Sequence, residues 1–94
     1  MIKHIICFKL KEGEDPNKAK EVLMGMKDNV PMLKGIEVGV DELRSARSFD
    51  VALTVLVDDM AALDAYQKDE YHVNVVKKYM HTVAEKSVAI DYTV

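Results

Sequence analysis

An α+β fold with elements in the order β-α-β-β-α-β is what this 94-residue chain predicts. Three observations carry the prediction. Four stretches place apolar residues at every second position, the period of a strand. The stretches between them carry apolar residues at spacings of three and four, the period of a helix facing a core. The two middle strands are joined only by a polar connection whose length suits a hairpin with a longer loop.

Ile2 to Leu10 is the first strand. Ile2, His4, Ile6, Phe8 and Leu10 share one face. Lys3, Ile5, Cys7 and Lys9 make the other, which is also apolar in its middle. Lys11 to Asn17 is a polar loop with a helix start inside it. Asp15 can cap, and Pro16 suits the first helical position because an N–H there would be unpaired anyway. Helix one spans about Pro16 to Asn29, with Ala19, Val22, Leu23 and Met26 in its stripe and Val30 just beyond. Pro31 ends it. Lys34 to Asp41 alternates as the second strand, with Ile36, Val38 and Val40 against Glu37, Gly39 and Asp41. Arg44 to Ser48 is the polar connection.

Phe49 to Val57 is the third strand. Phe49, Val51, Leu53, Val55 and Val57 share a face, and Ala52, Thr54 and Leu56 make the opposite face semi-apolar. A strand apolar on both sides is a central strand covered on both faces. Asp58 or Asp59 caps a second helix with Met60, Leu63 and Tyr66 along one side. Gln67 to Glu70 is a polar break. A further helix covers about Tyr71 to Glu85, with His72, Val76, Tyr79 or Met80, and Val83 at helical spacing. Ser87 to Val94 alternates as the fourth strand: Val88, Ile90, Tyr92 and Val94 against Ala89, Asp91 and Thr93.

This is the ferredoxin-like pattern, a four-stranded antiparallel sheet with both helices on one face. The other face is bare. It carries either Ile5 and Cys7 or the row from Phe49 to Val57, depending on parity, and an apolar face of that size predicts a partner. The simplest partner is a second copy packed sheet to sheet about a two-fold axis, a homodimer. A 94-residue monomer buries only about 60–65% of its extended surface, and a dimer relieves that limit.

Composition removes several classes. Residues 1–94 are one domain, with no room for a second core. With 49% hydrophobic residues and a net charge of −3 the chain is not disordered. A single Cys excludes a disulfide framework, and Cys7 reads as a small buried hydrophobe. Apolar runs stop within a few residues, as Val55-Leu56-Val57 does at Asp58, so no membrane span is expected. Thirteen Lys+Arg against 16 Asp+Glu argue against binding nucleic acid. A lone thiol, with no export signal ahead of the first strand, points to the cytoplasm.

Neither cofactor nor metal is expected. His4, His72 and His81 form no metal-ligand spacing, and Gly35 and Gly39 lie in a strand instead of a phosphate loop. The chemistry rests on His4, Tyr66 and His72. His4 sits between Ile2 and Ile6, and Tyr66 and His72 sit on the apolar sides of their helices. If the face bearing His4 lies under the helices, the three converge in one largely apolar pocket, the usual form of a small-molecule site. A neutral His can take a proton near pH 7, and a Tyr hydroxyl can donate to an enolate oxygen.

The opening Met1-Ile2-Lys3-His4-Ile5-Ile6-Cys7-Phe8-Lys9-Leu10 resembles the start of stress-responsive α/β-barrel (Dabb) domains. So do Val30 to Gly39, Phe49-Asp50-Val51-Ala52-Leu53, Ala62 to Gln67, His72-Val73 and Ile90-Asp91-Tyr92, an ordered set spanning nearly the whole chain. The resemblance implies a dimeric α+β barrel of two ferredoxin-like subunits. It also implies a more distant likeness to a plant polyketide cyclase, olivetolic acid cyclase, whose two His and one Tyr match His4, Tyr66 and His72 by position. That family usually has His-Pro ahead of the second His. Here Asp69-Glu70-Tyr71-His72 lacks both, so the helix break is differently built. The cyclase's additional pocket Tyr on helix one has no match in Val22-Leu23-Met24.

Three readings follow. One is a homodimer that binds an apolar small molecule between sheet and helices without catalysis. The second is a cofactor-free enzyme closing a ring by intramolecular aldol-type condensation, with His72 as base, Tyr66 as oxyanion donor and His4 positioning the substrate. The third is a dimeric-barrel monooxygenase or isomerase. A pocket of about 300 Å³ or more holding all three side chains favours the second over the first.

Overall fold

The computed structural model describes residues 1–94. Strands β1 (Ile2–Leu10), β2 (Gly35–Val40), β3 (Val51–Val57) and β4 (Ala84–Thr93) form one antiparallel sheet. Their spatial order is β2-β3-β1-β4, which puts β1 between β3 and β4. Helices α1 (Pro16–Met24), α2 (Met60–Lys68) and α3 (Lys78–Val83) cover one face. The architecture is α+β and ferredoxin-like, with the second helical layer in pieces. No helix is long and apolar enough to cross a membrane.

Register decides which face is the core. Ile2 pairs with Val57, His4 with Val55, Ile6 with Leu53 and Phe8 with Val51. The even row of β1 and the odd row of β3 therefore share a face. Val51, Leu53, Val55 and Val57 are all at most 2% exposed, packed under Leu23, Met26, Leu63 and Tyr66. Ile5 and Cys7 then lie on the outer face, with Ala52, Thr54 and Leu56 from β3 and Val88, Ile90 and Tyr92 from β4. Cys7 is accordingly half-buried on that outer face, outside the helix-covered core.

Phe49 does not join the buried row. The strand begins at Val51, and Asp50 turns inward ahead of it. The Asp50 carboxylate accepts from the Leu10 backbone N–H at 2.7 Å and pairs with Arg44 Nη2 at 2.8 Å. Leu10 needs that acceptor because the β1–β4 register shifts between Lys9 and Leu10. Burial raises the Asp50 carboxyl, but the Leu10 N–H and Arg44 outweigh it and hold it below its ordinary value. Phe49 instead borders a shallow hollow on the outer face with Cys7, Gly39 and Ala52.

The helices differ from expectation at their ends. Asp15 caps α1 by accepting from Asn17 N–H at 2.9 Å, and Pro16 follows it. The α-helix stops at Met24, and Gly25–Asp28 tightens into a 3₁₀ turn, a common helix ending. A Cβ on Gly25 would lie 2.6 Å from the Tyr71 hydroxyl, so this turn approaches the last helical layer closely. Asp59, not Asp58, caps α2, accepting from Ala62 N–H at 2.8 Å. Met60 is the first residue of α2 and stays 61% exposed; burial starts a turn later at Leu63.

The polar break is built by Asp69. Its backbone is extended, at φ −57° and ψ 136°, which ends α2. Its Oδ1 accepts from His72 N–H at 3.0 Å and its carbonyl from Val73 N–H at 2.9 Å, so the same residue starts the next helical run. That run is π-helical over His72–Lys77 and α-helical over Lys78–Val83. Met80 joins His72, Val76 and Val83 in its buried stripe, and Tyr79 does not. The helix ends at Val83 and not Glu85. Val83 O accepts from Lys11 N–H at 2.8 Å, and Ala84 already pairs with Leu10.

Candidate functional site

His4, Tyr66 and His72 come together. His4 reaches the site because the even row of β1 faces the helices. Tyr66 follows Leu63 on the buried side of α2. His72 is placed by the Asp69 cap. The Tyr66 ring stacks on His72 with centroids 4.3 Å apart and planes 25° from parallel. It also meets the His4 ring, tilted, at 5.8 Å and 60°. All three side chains are buried, and all three line a cavity of about 350 Å³ between the sheet and the second helical layer. Its walls are otherwise mostly apolar, from Ile6, Leu53, Val76 and Met80 among others.

A fourth polar residue completes the group. Asp91 on β4 pairs across the sheet with His4, and its Oδ1 accepts from His4 Nδ1. A carboxylate only accepts, so Nδ1 carries the proton of this bond. The sequence reading did not single out Asp91. Its signal was available: it is the one carboxylate on the β4 face opposite Val88, Ile90 and Tyr92.

The environment sets the protonation of the other two. His72 Nδ1 is buried without a hydrogen-bond partner. Burial lowers the pKa of this imidazole below the ordinary histidine value, and the Lys77 charge adds to the effect. The Gln67 backbone carbonyl and Asp69 pull the other way, and His4 lowers it slightly further. His72 is therefore neutral near pH 7. Burial, with a contribution from Asp69, pushes the Tyr66 phenol far above its ordinary value, so it keeps its proton. That proton is weakly engaged, since its partner is Met26 Sδ at 3.8 Å. The site thus holds a neutral imidazole with a free nitrogen, an uncommitted hydroxyl donor and a second imidazole oriented by a carboxylate. Such a set can remove a proton and stabilise the resulting oxyanion.

A larger hollow of about 420 Å³ lies on the surface among Lys11, Glu14, Arg44, Asp50 and Glu85. Its lining is almost wholly polar, and its one buried charge, Asp50, is already paired. No group of three or more His, Cys, Asp or Glu is arranged to hold a metal ion.

Solved structures share the fold across the whole chain. A dimeric ferredoxin-like protein of unknown function from Bacteroides fragilis superposes with a TM-score of 0.85. The two are 23% identical, over 99% of this chain and 95% of that one. A dimeric ferredoxin-like protein of unknown function from Thermobifida fusca gives a TM-score of 0.81 at 22% identity, covering 99% and 90%. A hydroxynitrile lyase from Passiflora edulis gives 0.78 at 18% identity, covering 99% and 92%. At such identities the likeness is one of fold. No curated protein matches the sequence. The model of the stress responsive A/B barrel domain matches residues 2–94, so this chain, with its histidine-tyrosine-histidine cavity, belongs to the Dabb family.

Proposed function

We propose that this protein is a homodimeric, cofactor-free acid–base enzyme acting on an apolar carbonyl compound in the 350 Å³ cavity. The observation that carries the reading is His72 Nδ1, which is buried and unpartnered on a ring stacked against Tyr66. An orphaned buried nitrogen costs stability, on the order of 1–3 kcal/mol, and a substrate proton would satisfy it. His72 takes a proton from the carbon beside the carbonyl. Tyr66 donates to the enolate oxygen that forms. His4, held by Asp91, positions the substrate. An enolate made this way closes a ring when a second carbonyl lies in the same molecule, as in an aldol-type condensation. The presence of a hydroxynitrile lyase among the structural neighbours supports an enzymatic reading, since this fold can carry an active site.

The test is exchange of α-protons for deuterium in phenylbutanone, followed by NMR in deuterated buffer. Exchange should exceed the buffer rate by at least about a hundred-fold, the usual worth of a positioned acid–base group. It should fall to the buffer rate in His72→Ala. A bound ketone with no accelerated exchange would leave the non-catalytic binding dimer as the function.

A further inference from the structure

The turn from His72 to Lys77 is wound as a π-helix. In an α-helix, at 3.6 residues per turn, residue 77 would point roughly 140° away from residue 72. The wider i→i+5 winding brings it back over residue 72, and such turns concentrate at functional sites. Lys77 consequently lines the same cavity as His72, and His81 lines it one α-turn further on. Both are exposed as well as lining, which places them at the mouth.

Neither side chain is held in an ion pair. The chain's ion pairs involve His4, Lys34, Arg44 and Lys68, and neither Lys77 nor His81 is among them. Asp91, the one carboxylate lining the cavity, is engaged by His4. The entrance thus carries the Lys77 ammonium and the His81 imidazole, a hydrogen-bond donor, on a chain whose net charge is −3, while the interior is mostly apolar.

We infer that the cavity selects an apolar compound with an anionic end, its body packed against Tyr66 and His72 and its anionic group held at the mouth by Lys77 and His81. This deepens the proposed function and rests on the cavity being the binding site. A carboxylate and a phosphate ester share the chemistry, because each offers several acceptor oxygens to an ammonium group. A charge-assisted contact at a solvent-facing rim corresponds to about a ten-fold gain in affinity.

NMR titration of the full chain with phenylbutyrate, phenylbutanol and phenylbutyl phosphate tests it at low ionic strength, where a rim charge is least screened. Phenylbutyrate should bind about ten-fold more tightly than phenylbutanol. In Lys77→Gln that advantage should fall to about two-fold or less, with phenylbutanol affinity unchanged. Lys77→Arg should keep it, and so should Lys78→Gln, which removes a charge one residue away that does not line the cavity. Phosphate bound more tightly than carboxylate assigns a phosphate end, and the reverse assigns a carboxylate; either supports the inference. Equal binding of acid and alcohol, or an advantage that survives Lys77→Gln, overturns it alone. Failure of all three probes to bind overturns the cavity reading and this inference with it.

Discussion

Asp91 stands directly across from His4 in the β1–β4 pairing, and its carboxylate accepts a hydrogen bond from His4 Nδ1. The pairing is set by backbone register, so the imidazole is held by the sheet and not by a loop. Removing the carboxylate in Asp91→Ala frees the ring to exchange tautomers. Nitrogen-15 NMR of the imidazole should show Nδ1 protonated in the parent and a mixture of ring forms in the variant. Exchange catalysis should fall by at least about ten-fold, because orienting carboxylates matter to their histidines on at least that scale. An unchanged imidazole spectrum in the variant would remove Asp91 from the site.

Tyr66 contacts two imidazoles, and its ring and hydroxyl have separable roles. Tyr66→Phe keeps the ring and loses a hydroxyl whose only partner is a thioether at 3.8 Å. Stability should move by less than about 1 kcal/mol. Turnover should drop by about a hundred-fold or more, the typical loss of one oxyanion donor. Tyr66→Ala empties the centre of the core and should cost about 3–5 kcal/mol. Calorimetry beside the exchange assay separates the two, and a Phe variant with full activity would show that the hydroxyl is only packing.

His72 gives stability a defined pH dependence. Its folded-state pKa lies below the ordinary 6.5 of an unfolded histidine, chiefly through burial. Between those two values the unfolded chain binds more protons than the folded one. The associated stability is therefore fully present above about pH 6.5 and is lost as pH falls through the folded-state pKa. Urea unfolding of the parent between about pH 7 and pH 5 should show this decline, and His72→Gln should flatten it. A parent and a variant with parallel pH profiles would mean that His72 does not titrate in this window. The same depression keeps the His72 imidazole neutral in mild acid, so the proposed proton exchange should persist below about pH 6.5.

The alternation of β1 and β3 and the apolar stripes bearing Tyr66 and His72 were legible from local periods of two and of three and four. Which strand face lies under the helices, and with it the meeting of His4 with Tyr66 and His72, was open from the sequence and is placed by the β1–β3 register. What was hidden depends on contacts distant in sequence. Asp91 pairs with His4 across 87 residues, and no periodicity within β4 announces that partner. Phe49 fits the alternation of β3, yet Asp50 displaces it because Leu10, 40 residues earlier, needs an acceptor. The helix ends at Val83 because Ala84 pairs with Leu10. The π-helical turn was illegible for a different reason. Val76 and Met80 follow His72 at steps of four, a spacing that α- and π-winding both satisfy, and only the placement of Lys77 distinguishes them.

The outer sheet face carries the last prediction. Ile5 and Ile90 stand opposite each other on it, with Cys7, Val88 and Tyr92 beside them. Ile90 is 59% exposed in a single chain, although it is a large β-branched residue in the middle of a strand. A two-fold interface would bring this patch against its own copy. Sedimentation at micromolar concentration should therefore give about twice the 10.6 kDa chain mass. Ile90→Asp should return a monomer, since it would bury two unpaired carboxylates near the axis. It should also abolish any rise of the unfolding midpoint with protein concentration. In a monomer the same substitution would lie on an open surface and change stability by less than about 0.5 kcal/mol. Neighbouring Asp91 points to the opposite face, so the cavity should stay intact in the Ile90→Asp chain. Exchange activity retained in that monomer would show that each subunit's site is complete within its own fold. Activity lost on dissociation would mean that the dimer stabilises the sheet on which His4 and Asp91 meet.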